Sequence, residues 1–203
     1  PLIVLAHGWY RGRRSMLRRL PHVLPLAERV VLYDARGHGE SGGRSTLGVA
    51  EPGDLLAVVE AASAGPEAGP VIVAGWSLGG TAAIVAASRP EARGRIGGVV
   101  AVAPVADLAD AVAARMRQFD ASPRLLLSPV RWVLRRLGAW PASPERSAAA
   151  VSVPVLVVHG DRDEVCPLPG VRRLVDRLPR GRLLEMTDAG HEQPEATDPE
   201  AFD

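Results

Sequence analysis

Short apolar runs recur along this chain, separated by stretches in which apolar positions return every three or four residues. The runs near Leu2–Ala6, Arg29–Tyr33, Val71–Gly75, Val99–Ala103, Val153–His159 and Arg182–Met186 predict strands, and the one at Val153–Val158 is too short and too β-branched for a helix of that burial. The Val153–Val158 run is apolar without alternation. That is the mark of strands covered on both faces, as in a parallel sheet. Helical spacing predicts helices near Ser15–Ala27, Gly53–Ala64, Thr81–Ser88 and Gly170–Leu178. Strand and helix therefore alternate, and the expected fold class is α/β: a mostly parallel sheet with helices on both faces. Segment 104–150 breaks the alternation. It is longer than an ordinary connection and holds two amphipathic pieces, Asp107–Phe119 and Pro129–Leu137, which makes it an insertion.

Gly75-Trp76-Ser77-Leu78-Gly79-Gly80 sits between the strand candidate at Val71–Ala74 and the helix candidate at Thr81–Ala87. A strand, a sharp glycine-flanked turn carrying one serine, then a helix is the context of a nucleophile elbow. Side chains at 75 and 79 are expected to collide with the neighbouring strand and helix, so both positions call for glycine. Ser77 is the candidate nucleophile. The helix behind it aims backbone N–H groups and a partial positive charge at the place where an oxyanion would form. A serine hydroxyl is a poor nucleophile without a base and an acid to orient that base, and both partners come later in the chain. Strand Val153–Val158 opens into His159-Gly160-Asp161-Arg162-Asp163, and strand Arg182–Met186 is followed by Asp188-Ala189-Gly190-His191. His191 is the candidate base. Two aspartates compete for the acid.

Taken together these motifs resemble the α/β-hydrolase superfamily over nearly the whole chain. His7-Gly8-Trp9 resembles its oxyanion loop, Asp34-Ala35-Arg36-Gly37-His38-Gly39-Glu40-Ser41 its next signature, Gly160-x-x-Asp163 its acid loop and Gly190-His191 its histidine loop. The resemblance implies Asp163 rather than Asp161 as the acid, with the backbone N–H groups of Trp9 and Leu78 as oxyanion donors. It also implies that 104–150 is a small lid within one domain spanning 1–203, that one or two strands precede Pro1, and that a final helix includes Phe202–Asp203. Pairing His-Gly-Trp with Gly-Trp-Ser-Leu-Gly-Gly resembles carboxylesterases acting on methyl esters of carrier-bound acyl chains. The Asp34–Ser41 segment is more similar to monoacylglycerol-lipase-like or serine-aminopeptidase-like hydrolases. A serine at the elbow separates the chain from dehalogenases and epoxide hydrolases, which carry aspartate there.

Composition changes this picture little. With 203 residues, 47% of them hydrophobic, the chain is long enough for one substantial core, and no apolar stretch approaches a membrane span. A net charge of +1 argues against nucleic acid as a partner. The expected partner is a small-molecule acyl substrate, without stable membrane insertion. One cysteine excludes an internal disulfide and favours the cytoplasm. All 24 basic residues are arginine, and there is no lysine and no asparagine, a bias expected of a GC-rich bacterial genome. Arg11, Arg13, Arg14, Arg18 and Arg19 crowd behind the oxyanion loop. A solvated helix face explains them without a ligand, and steering of an anionic substrate is the sharper alternative.

Other polar residues have bland readings. His38 belongs to a turn, His7 orients its own loop, His159 is a satisfied interior histidine and Cys166 a buried thiol. Asp107 stays in reserve as an acid on the loop after an earlier strand. No grouping has metal-ligand spacing along the chain, so neither metal nor cofactor is implied. The expected activity is hydrolysis of a carboxylic ester through an acyl-serine on Ser77, Asp163 and His191. A thioesterase, acyltransferase or aminopeptidase on the same residues is the alternative, and a non-catalytic ligand-binding protein of the same fold a more distant one.

Overall fold

In the structure, a computed structural model, residues 1–64, 69–118, 122–137, 140–141 and 143–191 are described. The expected end of one amphipathic piece at Phe119 and the expected final helix at Phe202–Asp203 lie outside them. Six strands form one sheet: β1 (Leu2–Ala6), β2 (Arg29–Leu32), β3 (Val71–Trp76), β4 (Ile96–Val102), β5 (Val155–Gly160) and β6 (Gly181–Met186). All neighbours are parallel, in the order β2-β1-β3-β4-β5-β6. After β2 the chain crosses back over β1 and adds strands on the other side. The crevice between the ends of β1 and β3 is therefore the topological switch point, where open parallel sheets bind ligands.

Seven helices are present among the described residues: α1 (Leu20–Val23), α2 (Glu51–Ala62), α3 (Leu78–Ala87), α4 (Leu108–Gln118), α5 (Pro123–Arg136), α6 (Pro144–Ser147) and α7 (Leu168–Arg177). Alternate strand residues feed two faces. Val4, Val71, Val73, Val99, Ala101, Val155 and Val157 pack with Leu55 and Val59 of α2 and Val171 and Leu174 of α7. Ile3, Leu5 and Ala74 point the other way, onto Met16, Leu20 and Val23. Every residue of α3 is buried, because its run of Gly, Ala, Ile and Val offers no polar face to keep wet. Such small side chains bring its backbone close to β3 and β4, which fixes where its N-terminus ends up.

Several element bounds shift by one or two residues, and three elements differ by more. Ser15–Ala27 is not one helix but a 3-10 stretch (Arg13–Arg19), the single turn α1, and a second 3-10 turn (Leu24–Leu26). Pro21 and Pro25 lack the N–H groups that a continuous helix would need. Strand β4 starts three residues earlier than expected, at Ile96, and takes in Gly97 and Gly98. There a Cβ at 97 would stand 2.9 Å from Pro70, so the glycines serve close packing rather than a turn. The helix expected at Pro129–Leu137 begins at Pro123 and carries Pro129 within it, on an exposed stretch where one lost backbone bond is tolerated.

Candidate active site

Strand β3 ends in a turn that places Ser77 at φ +50° and ψ −114°, a left-handed conformation costly for a residue with a side chain. Tight packing holds it there. A Cβ at Gly75 would lie 2.4 Å from the carbonyl carbon of Gly79, and one at Gly79 would lie 2.3 Å from the Ala6 carbonyl oxygen. Ser77 N–H donates to Val102 O at 2.8 Å, tying the turn to β4. The Thr81 hydroxyl donates to Ser77 O at 3.0 Å and accepts from the Val105 N–H at 2.9 Å, so α3 and the loop after β4 are locked together. Sequence reasoning missed Thr81, since a lone threonine in a helix carries no signal.

The structure brings Ser77, His191 and Asp163 together from the ends of β3, β6 and β5. Ser77 Oγ lies 3.0 Å from His191 Nε2, and His191 Nδ1 lies 2.7 Å from Asp163 Oδ2. The other oxygen, Oδ1, accepts from the N–H groups of Val165 at 2.9 Å and Cys166 at 2.8 Å. Asp163 is therefore fully buried yet satisfied, whereas Asp161 is exposed. Gly160 makes the approach possible: its missing Cβ would sit 2.0 Å from Ala189 O in the histidine loop. Arg162 N–H donates to that same carbonyl at 3.1 Å. The reserve acid Asp107 accepts from Ala109 N–H at 2.8 Å and caps the start of α4 instead. A hydroxyl, an imidazole and a buried carboxylate in this order can pass the hydroxyl proton to the ring and hold the resulting cation.

The loop after β1 meets the elbow across Gly8, where an added Cβ would stand 3.4 Å from Ser77 Cβ. Two histidines fasten this loop. His7 donates from Nδ1 to Gly8 O at 2.8 Å and accepts at Nε2 from Ala35 N–H at 2.9 Å. His38 donates from Nδ1 to Arg36 O at 2.9 Å and accepts at Nε2 from Tyr10 N–H at 3.1 Å. Burial pushes the His7 pKa down against the opposing pull of the Gly8 carbonyl, which suits a neutral ring that both donates and accepts. Trp9 and Leu78 line one cavity with Ser77 and His191, and Leu78, at the first position of α3, has an N–H with no partner inside the helix.

That cavity measures about 930 Å3. Val102, Val105, Leu108, Ala111 and Val112 supply an apolar wall, and Arg11, Arg14, Arg18 and Arg19 line it as well. Arg13, grouped with them by sequence, is used elsewhere: its guanidinium pairs with Asp34 and Glu40. Burial pushes the Asp34 carboxyl up, but N–H donors from Arg13 and Glu40 and the Arg13 charge outweigh it and hold its pKa below the usual range.

Two further groups stand close to Asp163. His159 is fully buried and donates from Nε2 to Cys166 O at 2.7 Å, with Asp163 Oδ2 at 3.4 Å. It is only half the satisfied histidine expected, because its Nδ1 has no partner. Burial, partly opposed by Asp163, lowers its pKa and keeps it neutral. Asp163, Cys166 and His191 also bring potential metal-ligating atoms within 4.8 Å of one another, a grouping invisible in the sequence spacing. Both Asp163 oxygens already accept hydrogen bonds, and burial pushes the Cys166 thiol up so that it stays protonated. The trio fits a hydrogen-bonded chain better than a cation.

With the geometry in place, comparison with known proteins is informative. A family model described as "Alpha/beta hydrolase family" matches residues 3–202. A monoacylglycerol lipase of Mycolicibacterium smegmatis is 32% identical, across 87% of this chain and 75% of the lipase. The uncharacterised protein YqkD of Bacillus subtilis is 27% identical across 93% of this chain, which spans only 63% of that relative's length. Among solved structures, the esterase Pf2001 of Pyrococcus furiosus superposes with a TM-score of 0.78 over 99% of this chain and 78% of its own, at 24% identity. At that identity the likeness speaks for the fold.

Proposed function

This chain belongs to the alpha/beta hydrolase family, and on that premise we propose that it is a serine hydrolase cleaving a carboxylic ester through an acyl-serine intermediate. One observation carries the reading: the unbroken chain from Ser77 Oγ through both nitrogens of His191 to buried Asp163, at 3.0 and 2.7 Å. In this reading His191 takes the Ser77 proton as the hydroxyl attacks the ester carbonyl. Asp163 holds the ring in the tautomer with its proton on Nδ1 and steadies the imidazolium that forms. Trp9 and Leu78 N–H groups receive the oxyanion, each worth about 3 to 4 kcal/mol of barrier by analogy with other serine hydrolases. The leaving alcohol takes the proton from His191, and water, activated by the same ring, releases the acid.

Hydrolysis is favoured over acyl transfer because the His191 side chain keeps 18% of its surface exposed, so water can reach the base. That the Mycolicibacterium relative is a monoacylglycerol lipase supports an ester as substrate. We take residues 1–203 as one domain in which 104–150 forms a lid, with α4 supplying the apolar wall for the acyl chain. The test is turnover of p-nitrophenyl esters of graded acyl length by wild type and Ser77→Ala. The expected result is measurable hydrolysis by wild type, abolished in the variant while its circular dichroism and melting curve are retained. Comparable hydrolysis by both proteins would overturn the assignment.

A further inference from the structure

Four arginines and not one carboxylate appear among the described residues lining the Ser77 cavity, in a chain whose net charge is only +1. Their neighbour Arg13 shows what a structural arginine looks like here, held by Asp34 and Glu40. Arg19 is buried with its guanidinium 4.1 Å from the centre of the Trp76 ring and donates to Ser15 O at 3.0 Å. Arg14 and Arg18 differ from both. They lie four residues apart on the Arg13–Arg19 stretch, are exposed, and their side chains make no hydrogen bond or ion pair among the described residues. The same cavity has an apolar lining that includes Leu108, Ala111 and Val112 of α4.

We propose that Arg14 and Arg18 form an oxyanion-binding subsite of the Ser77 cavity, so that the preferred substrate is an amphiphilic ester bearing a carboxylate or phosphate. A solvated face accounts for exposed arginines in general, but Arg14 and Arg18 line the cavity of Ser77 itself, and no carboxylate stands among its described lining residues. The cavity focuses their field where low-dielectric walls limit screening. The planar guanidinium fork matches carboxylate and phosphate geometry, and two forks lining one cavity can serve one anion together. This inference rests on the reading of the cavity as the site of ester cleavage, with the apolar part of the substrate on the α4 wall and its anion on the arginines.

Calorimetric titration of the Ser77→Ala protein separates the two ideas, since it needs binding and not turnover. Matched probes are monomethyl against dimethyl adipate, which places the anion on the acyl side, and monobutyrylglycerol 3-phosphate against monobutyrin, which places it on the leaving side. In at least one pair the anionic member is expected to bind about tenfold tighter or more, the range of charge-assisted hydrogen bonds. That ratio should fall with added salt and collapse towards one in Ser77→Ala/Arg14→Gln/Arg18→Gln. Equal affinities within both pairs, or a ratio that survives the arginine replacements, would overturn the subsite. Failure of the serine-hydrolase reading looks different: Ser77→Ala would hydrolyse the neutral esters as wild type does, while the affinity ratios still report on the arginines.

Discussion

Ser77 is held in a backbone conformation that costs on the order of 1 to 3 kcal/mol, and the close backbone packing that Gly75 and Gly79 permit holds it there. Gly79→Ala forces the Ala6 carbonyl to move and is expected to cost about 3 kcal/mol, the upper range for overpacking, read as a lowered urea midpoint. An unchanged midpoint would mean that the turn has slack. At the acid, Asp163→Asn replaces an acceptor facing His191 Nδ1 with a group that favours the wrong ring tautomer. A loss of about 10^4 in kcat is expected, while Asp161→Asn and Asp107→Asn stay near wild type. The opposite ranking would move the acid. These residues were partly legible in the sequence. The glycine spacing isolated Ser77 because steric demand is written in residue type. The choice of Asp163 over Asp161 rested on the family resemblance and not on residue type, because both sit in one polar loop and only the fold buries one of them.

Between elements, a buried carboxylate latches the turn that leads into α2. Glu51, at the first position of α2, is buried and accepts from Thr46 N–H at 2.7 Å, Thr46 Oγ1 at 2.6 Å and Gly48 N–H at 2.8 Å. Burial pushes its pKa up, but these donors outweigh burial and hold it below the usual range. Glu51→Gln leaves part of this set unpaired and is expected to destabilise by about 1 to 3 kcal/mol in urea unfolding. No change would show that the 45–48 turn holds itself. The same element exposes a limit of periodicity. The helix expected from Gly53 starts at Glu51, because Pro52 favours a first turn and Glu51 anchors it. Strand β1 matched its expected bounds, having neither glycine nor proline inside; β4 did not, since its glycines pass for breakers until Pro70 and Ile72 are seen against them.

At the scale of the molecule, buried groups set the response to acid. His7 and His159 have pKa values lowered from 6.5, chiefly by burial, so below that pH the unfolded chain binds protons that the folded one refuses. Stability is therefore fully present above 6.5 and falls as pH drops towards the folded values. Asp34 and Glu51, with pKa values lowered from 3.8 and 4.5, add a second loss below that range. Urea titrations across pH should show both steps, and His159→Gln should flatten the first; a slope unchanged by that replacement would free His159 from the role. The strand order itself was open to sequence only as alternation. Which strand pairs with which depends on crossovers, and the switch point between β1 and β3 is what sets the His7–Trp9 loop against the elbow.

A fluorophosphonate reports directly on whether Ser77 is the activated nucleophile, because it phosphonylates a serine only where a base removes the proton and donors hold the oxyanion. Incubated with the wild-type protein and analysed by intact and peptide mass spectrometry, it should add one phosphonyl group, located on Ser77, and none to Ser77→Ala. A wild-type protein left unmodified, or a Ser77→Ala protein modified to the same extent, would contradict the mechanism.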